Sequence, residues 1–335
     1  MFRMATLVRR LAMIPALLAC VVTITFALVQ LAPGDSADVL IAPGASVADI
    51  EQLRRTFALD RPPLEQYGRY VGGLLRGDLG FSVSRGESVG AVLRAALPTS
   101  ALLGLLSLLG TFVIGVTIGG WQATRRGRAS DVGVTVVGTV LGGMPAYWLA
   151  LLLIVCFTSG AAAWGWPEAL RLPAFGLRDS ALAALGTASL RDRLRHLVLP
   201  VGVLTIIGAA SIARYARATL VGALDSDRIR CARAKGASPL RVLWHHALRS
   251  ALAPLIVLLA LALPGVVAGS VFVEQLFALP GMGRTMVQAI AGRDIPLVLG
   301  CTLAFALAVA LSNLAADLSL AALDPRQRDQ SDVPS

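Results

Sequence analysis

Residues 225–254 read DSDRIRCARAKGASPLRVLWHHALRSALAP, and their local chemistry sets the frame for the rest of the chain. Ala232, Ala234 and Lys235 favour helix, and Gly236 suits the position just past a helix end, where a positive φ is least costly. Ser238 then suits an N-cap and Pro239 the first helical position after it. The pattern predicts helix, sharp turn, helix, with an apolar run starting at once behind Arg249. Ala232 and Gly236 are four residues apart and are expected to share one helical face, where small side chains allow a second backbone to approach. Arg230, Arg233, Lys235 and Arg241 surround this turn. Read locally, the loop is either a docking element for a partner or a basic amphipathic segment held by lipid headgroups.

Outward from the loop, apolar runs dominate. The sequence is 335 residues long, 56% hydrophobic and only 15% charged, with mean hydropathy +0.72. That exceeds the roughly 45–50% apolar content of soluble domains. The charges cluster between uncharged runs long enough, at about 18 residues or more, to cross a bilayer as helices. Six spans are predicted: 11–32, 97–120, 133–157, 197–218, 251–273 and 296–321. The fold class is therefore an all-α integral membrane protein with six transmembrane helices. Residues 1–32 hold the N-terminus and first span, 33–96 form an extramembrane segment, 97–321 form a five-helix core with its loop at 219–250, and 322–335 form a tail. Within 33–96, a helix is expected over Val47–Phe57 behind Ser46, and the Pro62-Pro63 pair is expected to interrupt any helix. The Leu17-Leu18-Ala19-Cys20 stretch faintly resembles a lipoprotein cleavage site, but the apolar run continues past Cys20, longer than the roughly 7–15 residues of a signal-peptide core. An uncleaved first span is expected.

Charge placement orients the chain. Of the 30 Lys and Arg, 16 lie in the 72 positions of 1–10, 121–132, 214–249 and 322–335; the remainder lie in the longer segments 33–96, 158–195 and 274–295. The bias places both termini and the 219–250 loop in the cytoplasm. The net charge of +10 sits in short loops beside apolar spans. It suits membrane orientation and anionic lipid rather than nucleic acid. Cys20, Cys156, Cys231 and Cys301 form no CxxC, and His196, His245 and His246 have no metal-ligand spacing to a Cys or another His, so neither metal nor cofactor is expected.

CARAKGASPLRVLWHHALRSALAPL resembles the cytoplasmic EAA loop of binding-protein-dependent ABC permeases, in the version found in dipeptide and oligopeptide permeases. Further similarities run in order along the chain: Pro33-Gly34-Asp35, Ala58-Leu59-Asp60-Arg61-Pro62, Gly77-Asp78-Leu79-Gly80-Phe81-Ser82, Leu97-Pro98-Thr99, His196-Leu197-Val198-Leu199-Pro200, Ala213-Arg214-Tyr215, Val273-Glu274-Gln275-Leu276-Phe277, Pro280-Gly281-Met282-Gly283, Arg293-Asp294-Ile295-Pro296 and Leu323-Asp324-Pro325-Arg326. Ala58 and Arg228 depart from the family pattern, which usually has Gly and an aromatic there. The resemblance implies a type I ABC importer permease fold in the bacterial inner membrane. It also implies a coupling helix that docks on an ATPase through Ala232, Arg233, Ala234, Lys235 and Gly236. Glu274, Phe277, Pro280, Gly281 and Gly283 are expected near the periplasmic mouth. The partners it implies are a second homologous permease, two ATP-binding cassette subunits, a periplasmic solute-binding protein and membrane lipid.

The chain carries no ATPase site of its own. A phosphate-binding loop needs G-x-x-x-x-G-K-[ST], and Lys235, the only lysine, sits between Ala234 and Gly236. Two other classes compete with the importer reading, and the sequence lacks what each requires. An ion-coupled carrier needs ionisable groups deep in the bilayer, and spans 97–120, 133–157, 197–213, 250–273 and 296–316 hold no Asp, Glu, Lys or Arg. Asp317, near the end of the last span, is expected to act in helix packing with Asn313. An intramembrane enzyme needs a Ser/His or Asp pair or an HExxH run at span depth, and none is present. Within the importer class the cargo is left open among dipeptides, oligopeptides, nickel chelates and other small solutes.

Overall fold

The computed structural model describes residues 4–31, 61–179, 189–268 and 271–323. The expected helix at Val47–Phe57 and the tail beyond 323 lie outside these residues. Among the described residues, six helices are long and apolar enough to cross a membrane, at Arg10–Leu31, Val89–Thr124, Ala146–Ala163, Leu190–Leu224, Pro239–Leu263 and Ile295–Ser319.

The frame is a pair of long helices, α3 (Val89–Thr124) and α6 (Leu190–Leu224). At about 1.5 Å per residue each is about 50 Å long, well beyond a hydrocarbon layer of about 30 Å. They therefore begin earlier than expected, at residues 89 and 190 rather than 97 and 197. Ser88 and Ser189 explain the early starts, because each caps its helix by accepting a backbone N–H, from Ala91 and from Asp192. The two helices meet through small residues. A Cβ at Gly119 would lie 2.5 Å from the Ala213 carbonyl, one at Gly115 2.7 Å from Ile212, and one at Gly208 2.7 Å from the Thr111 hydroxyl. Glycines on both helices thus set the backbone separation, as is usual where lipid gives no hydrophobic drive to association.

The remaining elements pack around this pair. α1 (Met4–Leu31) packs against α12 (Ile295–Leu323) and buries Val22 and Phe26. Tyr67 of α2 (Pro63–Leu74) holds it by a ring contact with Phe26 and a 2.7 Å hydroxyl bond with Thr23. Pro62 and Pro63 start α2 as N-cap and first residue, so the Pro pair opens a helix, at positions where a proline's fixed φ and missing N–H are tolerated. A two-residue antiparallel ribbon, β1 (Phe81–Ser82) with β2 (Glu87–Ser88), precedes α3. This small β element is an addition to the all-α expectation.

The third span differs from the continuous helix expected over 133–157. α4 (Ala129–Gly143) stops, Met144 takes an extended conformation, and α5 (Ala146–Ile154) restarts after Pro145. The α5 run then continues through a π turn (Val155–Ser159) to Ala163. Proline lacks an N–H and drives the residue before it out of the helical region, which accounts for the break. Gly142 packs close to Ala210, whereas open space surrounds Gly143.

The rest of the chain runs through α7 (Asp227–Ala234), α8 (Pro239–Arg241), α9 (Leu248–Ala268), α10 (Val271–Leu276) and α11 (Met282–Ala291). A π turn over Val242–Ala247 joins α8 to α9, so the loop and the fifth span form one rod. Arg10 and Asp317 form an ion pair, which places the start of α1 and the end of α12 on the same face of the bundle. Asp317 thus packs against Arg10, across a groove that Asn313 also lines. This face, with the 125–128 and 225–239 turns, is called the terminal face; α2, the ribbon, α10 and α11 form the far face.

Candidate functional site

On the terminal face, α7 ends in a turn fixed by its own backbone. Gly236 has φ +79°, the Gly236 N–H bonds to the Arg233 carbonyl at 2.9 Å, and the Ala237 N–H reaches back to Ala232 at 3.1 Å. These two bonds define a Schellman end. The Ser238 hydroxyl then accepts from the Arg241 N–H, with Pro239 at the first position of α8. The helix stops at Ala234, so Ala232 and Gly236 are not two residues of one helical face; the bond from Ala237 back to Ala232 brings that region together instead.

Arg233, Ala234, Lys235 and Gly236 are exposed, and Ala232 is half-buried. Open space surrounds the point where a Gly236 side chain would begin. Leu240, also beside the turn, is 72% exposed. The surface offered is thus a bare backbone corner edged by cations and one apolar side chain, suited to fitting into a cleft. Beneath it, Ile229 is buried among Ala123 at the end of α3, Ala216 and Leu220 of α6, and Val242, Leu243 and Ala247. The turn therefore rests on three spans at once.

Sequence reading missed the polar lock next to this cluster. Arg217 donates to Asp131 through Nε (2.8 Å) and Nη2 (2.7 Å), tying α6 to α4. Gln122 of α3 donates to Asp131 and Thr135, and the Gly127 N–H caps the second Asp131 oxygen. Asp131 is buried in the first turn of α4, ahead of the apolar run. The Arg217 guanidinium outweighs burial there and holds the Asp131 carboxyl down at about 2, helped by the Gly127 and Gln122 donors. The one available signal was an Asp just before an apolar run, with an Arg inside another.

The far-face residues form a clamp. Glu274 is fully buried; its carboxyl group accepts from the Ser100 hydroxyl (2.7 Å) and the N–H groups of Gly283 (2.7 Å) and Arg284 (3.1 Å). Ser100 in turn accepts from the Met282 N–H at 2.7 Å. A Cβ on Gly281 would lie 2.4 Å from the Glu274 carboxyl, and one on Gly283 2.8 Å from Val271. Phe277 fills the core between Leu103, Leu149 and Leu199, and its carbonyl accepts from Gly176. Of the five far-face residues singled out from sequence, only Pro280 is exposed. A second buried carboxyl, Asp294, accepts from Ser82, from the N–H and hydroxyl of Ser84, and from the Leu297 N–H, anchoring the ribbon to the start of α12. Among the described residues no group of three His, Cys, Asp or Glu is arranged to hold a metal ion.

Comparison with known proteins agrees with this architecture. Residues 115–329 match the model of the binding-protein-dependent transport system inner membrane component, and residues 1–100 match the N-terminal model of the same membrane components. The chain is 34% identical to the oligopeptide transport system permease protein AppB of Bacillus subtilis (strain 168), over 96% of this chain and 98% of that one. It is 36% identical to the di/tripeptide transport system permease protein DppB of Pseudomonas aeruginosa (strain UCBPP-PA14), again over 96% and 98%. The chain belongs to the family of binding-protein-dependent transport system inner membrane components, and is a multi-pass protein of the inner membrane.

Proposed function

We propose that the chain is one permease subunit of an ATP-driven importer of peptides, with ATP hydrolysed on separate subunits. The observation that carries this reading is the Gly236 corner: an exposed, backbone-fixed turn seated on the ends of three spans, so that a push there moves the bundle. Two ATP-binding cassette subunits grip the complex at such turns, one of them at Ala232–Gly236 of this chain. A second, homologous permease completes the pathway, and a solute-binding protein delivers cargo to the far face. The terminal face, with both termini, is cytoplasmic; the excess of Arg and Lys in its short loops supports this. Segments 33–96 and 274–295 are the docking surfaces for the binding protein, and Glu274, Phe277, Gly281 and Gly283 hold the outer mouth in shape with Pro280 at its rim. The names of the relatives support peptides as cargo over nickel chelates or other solutes. The buried carboxyls Glu274 and Asp294 are each met by several donors, which favours structural roles over an ion-coupled relay.

The test is Gly236→Arg in the complete complex, reconstituted with its ATPases and binding protein. Uptake is expected to fall to background. The position is open, so the strain of an L-residue at this φ, about 1 kcal/mol, should leave membrane insertion and elution profile unchanged. Wild-type uptake by that variant, or protease protection placing residue 236 outside the cell, removes the coupling role.

A further inference from the structure

A cleft of about 260 Å³ opens on the far face between the ribbon turn, the start of α3 and α11. Arg85, Glu87, Pro280, Arg284 and Gln288 line it. Arg284 donates through Nη1 to the Ala278 carbonyl, while its buried Nε has no acceptor. Arg85 donates to Gln288. Among the described residues neither arginine forms an ion pair, and Glu87 pairs with neither. Arg217 shows what is missing, because it spends its Nε and Nη2 edge on both oxygens of Asp131. The Nε of Arg284, the counterpart of one of these two donors, has no acceptor. A buried guanidinium N–H without an acceptor is costly, and a carboxylate is the group whose two oxygens match that fork.

The geometry points to a binding site for a small carboxylate, specifically the C-terminal carboxylate of a peptide arriving at the far face, held by Arg284 and Arg85. This identity rests on the peptide-import reading above. The volume suits one end of a peptide rather than a whole one, since pockets that enclose a drug-sized ligand run from about 300 Å³ upward. Two guanidinium groups against one carboxylate leave the cleft net positive, and Glu87 weakens the attraction without cancelling it.

The probes are Ala-Ala and its C-terminal amide, titrated against the full chain in its complex in nanodiscs, without the binding protein. The free acid is expected to bind at least about ten-fold more tightly than the amide. Arg284→Gln should remove that preference. Arg85→Gln, at an exposed position that leaves the fold intact, should weaken free-acid binding several-fold, and Glu87→Gln should strengthen it. Equal binding of acid and amide, no binding of either, or an unchanged preference in both arginine variants overturns the site. Uptake separates this from the import reading. If the complex imports Ala-Ala but binds acid and amide equally, the site falls and peptide import stands. If the acid preference holds but no peptide is imported, the carboxylate site stands and peptide import falls.

Discussion

The turn at Gly236 and the clamp at Glu274 are both places where a helix ends beside a glycine, yet they are built in opposite ways. At Gly236 every fixing bond is local, between residues no more than five apart, and the surface faces open space. At Glu274 the bonds join residues 9, 10 and 174 positions apart, and the groups are buried. The hydrogen bonds of the first region are all its own, which suits a part that a partner must grip. The second exists only when α3, α10 and α11 are already assembled, which suits a part that holds the bundle together. The contrast predicts that mutations at the clamp act mainly on stability, and mutations at the turn mainly on function.

The largest effect is expected from Glu274→Ala. It leaves the Ser100 hydroxyl and the Gly283 and Arg284 N–H groups buried without an acceptor, a loss of about 3 kcal/mol or more. A clear drop in the thermal unfolding midpoint in detergent, with little folded protein recovered, is the expected readout. A variant with wild-type stability would erase the distinction drawn here. Next is Asp131→Ala, which strands Arg217 beside the turn. A buried pair broken on one side costs about 3–5 kcal/mol. Arg217 is one-third exposed, so the expectation is discounted to about 2 kcal/mol. The pair also carries a pH signature. Asp131 titrates near 2 when folded against 3.8 as a free side chain, so the folded pKa is depressed. Its contribution is present in full above about pH 4 and fades as pH falls towards 2. Unfolding measured from pH 5 to pH 2 should show this loss in the wild type and not in Asp131→Asn.

Legibility in the sequence divides along the same line. Hydropathy reveals six crossings because each apolar run is its own signal, and Gly236, Ser238 and Pro239 announce their turn by intrinsic preference. The clamp is silent, since nothing in residues 96–104 says that Ser100 will meet a carboxyl from position 274. The Asp131–Arg217 lock is silent for the same reason, and so are the glycine contacts between α3 and α6, which depend on which faces of two long helices meet. The break at Pro145 was legible and overlooked: Gly-Gly-Met-Pro inside an apolar run is a stop signal, and hydropathy alone averages over it. The early starts of α3 and α6 were missed because Ser88 and Ser189 cap turns that lie outside the apolar runs.

The smaller effects test the local side. Gly236→Ala keeps the site open and small but places a Cβ at φ +79°, a strain of about 1 kcal/mol. It should slow uptake by loosening the turn while the unfolding midpoint shifts little. Smaller still is Ser238→Ala. An N-cap serine is worth about 0.5–2 kcal/mol, but here the hydroxyl accepts from Arg241 at 3.4 Å, near the outer limit for such a bond. Pro239 already fixes the first helical φ, and α8 passes without a break into the π turn and α9, which the bilayer and the Ile229 cluster hold in place. The cap therefore contributes at the low end, about 0.5 kcal/mol, and the loss should be confined to the turn. Hydrogen exchange is the suitable measurement: faster exchange at residues 239–241 with no change at 248–268 is expected. Faster exchange spreading into α9 would mean that the corner is not an independent local unit, and that the fifth span depends on it for its own order.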